Sequence, residues 1–132
     1  MFRIDASNGL AIYDQIVRQV KFSIAEGVWR SGDLVPSVRE LSKQLAINPN
    51  TVARAYRKLQ DDEVLESVRG TGLQVTAGAA KRCRATRRQL IKERISSVIS
   101  EAAASGLSAD EIEELVEKEL QGLKRKQKGA KS

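Results

Sequence analysis

The 132-residue sequence contains no histidine and a single cysteine, Cys83. With no imidazole, Ser-His-Asp chemistry is excluded, and a zinc site of the usual nitrogen and sulfur type has nothing to build it. One thiol cannot close an internal disulfide, which fits a reducing cytoplasm. No run of about eighteen apolar residues exists, so no membrane span is expected. The opening residues, MFRIDASNGLAIYDQ, lack the charged start and apolar core of a secretory leader. Carboxylates remain available for chemistry. Yet Asp110, Glu111, Glu113, Glu114, Glu117 and Glu119 fall together on one solvated helix, not in a cleft. No metal, no cofactor and no enzymatic activity is expected.

What is present is organised around residues 36–59, PSVRELSKQLAINPNTVARAYRKL. Val38, Leu41 and Leu45 form one helical stripe. Ser37 can cap that helix, with Glu40 three residues on to complete a capping box. Asn48 is a good N-cap, and Pro49 fits the first helical position because its missing N–H would be unsatisfied there anyway. About three residues are left to turn the chain, which is the layout of a helix-turn-helix. On the second helix Val52, Ala55, Tyr56 and Leu59 share one side, and Asn50, Arg54 and Arg57 the other, with Thr51 beside them. Arginine pairs bidentately with guanine edges and asparagine with adenine, so this face suits a DNA major groove. Each arginine alone is equally well read as solvating a surface helix.

The flanking elements follow from the same rules. A helix is expected from about Ala11 to Glu26, with Ile12, Ile16, Val20 and Ile24 as its stripe, widened by Tyr13 and Val17, and Gly27 as its stop. Residues 2–5 suit a short extended segment, and Ser7-Asn8-Gly9 and Ser31-Gly32-Asp33 suit turns. Val28 and Trp29 are expected to cover the core edge. Val64–Val68 and Leu73–Thr76 are β-prone runs joined by Arg69-Gly70-Thr71-Gly72, a hairpin that reads as a wing. Arg69 at its tip is placed to reach a minor groove or a phosphate, or is simply an exposed arginine. The fold class is therefore mainly α with a small β wing.

Charge is unevenly spread. Residues 1–76 carry ten basic and nine acidic side chains, residues 77–100 seven and one, and residues 101–132 six and seven. The positive field thus comes from the start of a long helix expected from Ala79 to about Ala104. Its basic block at 81–88 can contact phosphates or serve as an ordinary charged helix. Cys83, set among Lys81, Arg82 and Arg84, is either a redox-sensing thiol with a lowered pKa or incidental.

The second half of that helix carries Ile91, Ile95, Val98 and Ala102 in 4-3-4 steps, flanked by Leu90 and Ile99. Ser108 and Glu111 form a second capping box, Leu107 can staple onto Ile112, and Ile112, Leu115, Val116, Leu120 and Leu123 line one face of a last helix. Two helices alone are a single layer and cannot bury both stripes. A second copy completing a four-helix arrangement can. A homodimer through residues 90–123 is expected. The domains are then a winged helix-turn-helix at 1–77, a helical dimerisation hairpin at 78–126, and a disordered basic tail at 127–132.

These segments resemble the GntR family of bacterial transcriptional regulators. The resemblance covers about residues 8–76 and rests on Ile12–Ile16, Gly32–Leu41, Asn48–Tyr56 and Arg69–Gly72. The short two-helix C-terminus is similar to the YtrA-type subfamily, whose members dimerise through that hairpin. The resemblance implies operator contacts from Arg39, Asn50, Thr51 and Arg54, assisted by the wing around Arg69 and Gly70. With Arg57 and the turn residues Ser37 and Asn48, these make up the candidate DNA-contact set. It also implies a repressor of nearby transporter genes, on a pseudo-palindromic operator. Family members usually have Gly where Glu63 stands, an aromatic near Gln74 and Pro near Ala11. Glutamate adopts a left-handed turn less cheaply than glycine, so the turn into the wing is expected to be built differently.

With no sizeable ligand domain, any small-molecule effector must bind at the hairpin or between it and the winged domain. Two rival readings remain. One is an architectural or non-specific DNA-binding protein. The other is an enzyme, since similar winged domains precede a pyridoxal-phosphate-binding domain in another branch of the family. About 55 residues after the wing cannot house such a domain.

Overall fold

In the computed structural model, residues 3–131 apart from 6 and 8 are described; Asn8 of the expected first turn lies outside them. The elements are α1 (Ile12–Glu26), α2 (Val38–Leu45), α3 (Pro49–Asp61), β1 (Leu65–Val68), β2 (Gly72–Val75), α4 (Ala79–Ala104) and α5 (Ala109–Lys131). Two compact units divide the chain, Met1–Gln89 and Leu90–Ser132, so the division falls inside α4.

The first unit is built on the interior of α1, α2 and α3. Ile16, Val20, Ile24, Leu41, Val52, Ala55 and Leu59 are fully buried there, and Val64, Leu65 and Val75 close the core from the wing. Gly27 ends α1 in the left-handed conformation, at φ 84°. Trp29 packs against this core, whereas Val28 is half exposed. Residues 3–5 are held by side chains instead of pairing as a strand. The buried Gln15 carboxamide accepts from the Asp5 N–H and donates to the Asp5 and Leu10 carbonyls, while that of Gln19 accepts from the Arg3 N–H and donates to its carbonyl.

The wing is wider than the hairpin expected from sequence. β1 and β2 pair antiparallel with Leu65 opposite Val75 and Val68 opposite Gly72. Residues 32–35 lie along the other edge of β2. The Gly32 N–H donates to the Val75 carbonyl (2.8 Å), Val75 N–H to Asp33 (2.9 Å) and Val35 N–H to Leu73 (3.0 Å). The chain turns at 31–33 as expected, then goes on to satisfy a strand edge that a lone hairpin leaves open.

Glu63 corrects a second expectation. It adopts φ 59°, the left-handed conformation for which glycine is the usual residue, so glutamate itself makes the left-handed turn into the wing. Such a conformation costs a residue with a Cβ about 1 kcal/mol. The Glu63 carbonyl accepts hydrogen bonds from Thr76 Oγ1 (2.6 Å) and Arg82 Nη2 (2.8 Å), which offset that cost. One residue earlier, Asp62 pairs with the nearly buried Lys21 (2.8 Å) and with Lys58 (3.2 Å). Burial alone would raise the Asp62 carboxyl, but hydrogen bonds and charge from the two lysines outweigh it and hold the group below its ordinary value.

The first turns of α4 belong to the winged unit, which is why the division comes later than residue 77. Ala79 and Cys83 are 1% exposed and part of the core. Burial pushes the Cys83 thiol up in spite of Lys21 and Arg82 nearby, the opposite of what a sensing thiolate needs. At the far end, α5 continues through Lys131 where a disordered tail is expected. Lysine, arginine and glutamine are good helix formers, so a tail whose single apolar residue after Leu123 is Ala130 extends a helix already nucleated upstream.

Candidate nucleic-acid interface

Residues 37–59 fold as two capped helices. The Ser37 hydroxyl accepts from the Glu40 N–H (3.0 Å), and the Glu40 carboxylate accepts from the Ser37 N–H (3.1 Å). These bonds lower the Glu40 pKa. Ala46, in the left-handed region at φ 53°, ends α2, and the Asn48 side-chain oxygen caps α3 by accepting from the Asn50 N–H (2.8 Å). Ser37 and Asn48 therefore hold the turn; what is left for a duplex is the Ser37 O–H and the Asn48 amide N–H groups.

On α3, Val52, Ala55, Tyr56 and Leu59 are no more than 2% exposed. The Tyr56 hydroxyl donates to the Pro36 carbonyl (2.6 Å), tying α3 to the start of α2. Burial, helped by the Glu40 charge, pushes its phenol well above the ordinary value, so it stays a donor. Asn50, Arg54 and Arg57 are exposed on the opposite side, with Thr51 partly buried beside them. The first turn of α3 holds no acidic residue, so nothing opposes the positive end of the helix dipole. The Arg54 guanidinium carbon lies 4.2 Å from the centre of the Tyr13 ring.

On α2, Arg39 is exposed and lines a shallow depression with Val38, Ser42, Lys43 and Pro49. This sets Arg39 against the N-terminus of α3. Lys43, one turn on, shares the depression. Sequence reasoning does not single it out, although its i+4 spacing from Arg39 places both on one face. Arg69 and Gly70 are exposed at the wing tip, where Gly70 takes φ 77° within the turn closed by Thr71 N–H to the Val68 carbonyl (2.9 Å). A side chain there would be strained.

The basic block on α4 divides. Lys81, Arg84 and Arg88 are exposed and Arg87 is partly buried. Arg82 is used within the protein. Besides the Glu63 carbonyl, its Nη2 donates to Thr76 Oγ1 (2.9 Å) and the Ala77 carbonyl (3.3 Å). It clamps the start of α4 to the end of the wing.

In the second unit the Ser108 hydroxyl accepts from the Glu111 N–H (3.2 Å) and the Glu111 carboxylate from the Ser108 N–H (3.2 Å), the capping box expected of α5. Leu90, Leu107 and Ile112 are partly buried. Ile91, Ile95, Val98, Ile99, Leu115, Val116, Leu120 and Leu123 are 40–56% exposed and line one open groove of about 730 Å³ between the helices of the hairpin.

Comparison with known proteins follows the same lines. The sequence model described as "Bacterial regulatory proteins, gntR family" matches residues 12–75. The HTH-type transcriptional repressor YtrA of Bacillus subtilis strain 168 is 33% identical over 116 residues, 88% of this chain and 89% of that protein. Among solved structures, a GntR family transcriptional regulator from Listeria monocytogenes superposes with a TM-score of 0.65 at 34% identity, covering 85% of this chain and 97% of the other. YtrA from Sulfolobus acidocaldarius, a GntR-family transcription factor, does so with a TM-score of 0.54 at 30% identity, covering 92% and 98%. The exposed polar face of α3, the wing beside it and these likenesses agree, and the chain belongs to the YtrA-type branch of the GntR family, as a DNA-binding transcriptional regulator and not an enzyme.

Proposed function

We propose that the protein is a dimeric, cytoplasmic repressor of a neighbouring operon, with a transporter as its target. Two copies of α3 enter successive major grooves of a pseudo-palindromic operator, with half-sites about 34–36 Å apart. The carrying observation is the division of α3 into a side buried to 2% exposure or less and a side presenting Asn50, Arg54 and Arg57 to solvent. Arg39, Thr51 and Lys43 add contacts at the helix start, and Ser37, Asn48, Arg69 and Gly70 add contacts from the turn and the wing. The apolar groove of the hairpin supports pairing through residues 90–123. The name of the Bacillus subtilis relative supports repression over activation. Transporter control is carried by the subfamily resemblance. A small-molecule effector, if one is used, acts by changing the separation of the recognition helices.

The rival reading, an architectural DNA-binding protein, shares the charge but not the selectivity. In competition, a duplex selected from a random pool is expected to outbind random duplex by about a thousandfold or more. Equal competition by random DNA would leave only the architectural reading.

The basic segment makes a separate, sequence-independent contribution. Replacing Lys81, Arg84, Arg87 and Arg88 by glutamine is expected to weaken binding to every duplex alike. The logarithmic salt slope should flatten by about 0.9 for each phosphate that is no longer neutralised. Binding isotherms across a salt series check this, and an unchanged slope removes the segment from the interface. Arg82 is kept in this variant because replacing it would loosen the wing.

A further inference from the structure

Tyr13 lies on the face of α1 that packs toward the core, as its place in the apolar stripe requires. Its ring does something the stripe does not require: it lies under the Arg54 guanidinium, 4.2 Å from ring centre to Cζ. α1 and α3 pack against each other and Tyr13 packs against the core between them, so the ring is held at the contact of the two helices. A guanidinium held by its face keeps all its N–H donors, which lie in its plane. Guanine is read by that edge, two parallel donors reaching O6 and N7. Stacking on Tyr13 therefore uses none of the groups needed for base reading. It does remove freedom from a long side chain that would otherwise be ordered only on binding.

We propose that Tyr13 is a positioning residue for base reading, which pre-orders Arg54 and so sharpens the sequence selectivity of α3. This rests on the reading of α3 as the DNA-reading helix. Nothing similar supports Arg57, which makes no ion pair or ring contact among the described residues.

The test uses full-length protein, an operator selected from a random pool, and the same duplex with single base pairs changed. Tyr13→Leu is expected to lower operator affinity by about threefold to tenfold per half-site, and to flatten discrimination at the base pair where Arg54→Ala erases it. Tyr13→Phe keeps the ring face and should retain wild-type selectivity. In an Arg54→Ala background, Tyr13→Leu should change DNA binding no further. An equal reduction on every duplex, or a reduction that persists without Arg54, would make Tyr13 a fold residue only and overturn the proposal. So would unchanged selectivity in Tyr13→Leu, or a Tyr13→Phe effect as large as that of leucine. An independent measurement needs no variant. In ¹⁵N relaxation of the DNA-free wild type, the Arg54 Nε–H should be more ordered than that of Arg57, and equal mobility would overturn the proposal. If Arg54→Ala itself leaves selectivity intact, it is the DNA-reading assignment of α3 that fails.

Discussion

Arg54→Ala is expected to reduce affinity for the operator by roughly thirtyfold to ten-thousandfold, while affinity for random duplex falls far less. A bidentate arginine–guanine pair discriminates by about 1–3 kcal/mol, and the proposed dimer would forfeit two of them. The reduction on random duplex is one phosphate-range charge per protomer, a salt-dependent effect shared by all sequences. Arg54 is the position of choice on α3 for a geometric reason. It lies one helical turn after Asn50 on the exposed face, and its guanidinium rests on Tyr13 while its N–H edge stays open. The variant should remain folded, since Arg54 is exposed and stacking on the ring is worth about 0.5–1 kcal/mol at such a site. Paired titrations of selected and random duplex, with a thermal melt as control, measure all of this. A reduction of equal size on both duplexes would show that Arg54 touches backbone phosphate and reads nothing.

The features that fix this interface differ in how local their causes are, and that decides what the sequence reveals. The Ser37–Glu40 and Ser108–Glu111 boxes and the Asn48-Pro49 start depend on residues within three positions of each other. Each forms as the spacing predicts. The two faces of α3 follow from helical period alone. The pairing of residues 32–35 with β2 depends on a strand some forty residues away, and a Ser-Gly-Asp turn gives no hint of it. Arg82 is hidden by its neighbours. In a run of five basic residues nothing in the sequence distinguishes the one that bonds the Glu63 carbonyl. Tyr13 is hidden by its own apolar stripe, because periodicity gives the direction of a ring but not what lies across it. Glu63 shows the converse limit. Sequence correctly identifies an unfavourable residue, yet Glu63 takes the left-handed turn, with hydrogen bonds to its carbonyl from Thr76 and Arg82 offsetting the cost. Lys43 was within reach, since its spacing from Arg39 puts it on the same side of α2.

Ile95→Asp is expected to separate the proposed dimer and, with it, to abolish operator binding at concentrations where the wild type is saturated. In a single hairpin eight large apolar side chains remain 40–56% exposed along one groove, Ile95 at 54% among them. Completing their burial is worth on the order of 1 kcal/mol each. That gain has to exceed the association cost of about 4–15 kcal/mol, so the seam tolerates little damage. In the proposed dimer, two-fold symmetry would place every substitution in the interface twice. A carboxylate at this position must then be desolvated in both protomers without a partner, which costs several kcal/mol per ion. Light scattering after size exclusion should show a dimer for the wild type and a monomer for the variant at micromolar concentration. The winged unit has its own buried core and should keep its fold. What disappears on DNA is the linkage between half-sites, worth about a hundredfold to ten-thousandfold in affinity without any change in how α3 meets the bases. Fusing two Ile95→Asp chains through a flexible linker should therefore restore part of the operator affinity. If the variant stays dimeric, the apolar groove is not the interface. If it is monomeric yet binds the operator as tightly as the wild type, pairing of the two half-sites is not how this protein holds its DNA.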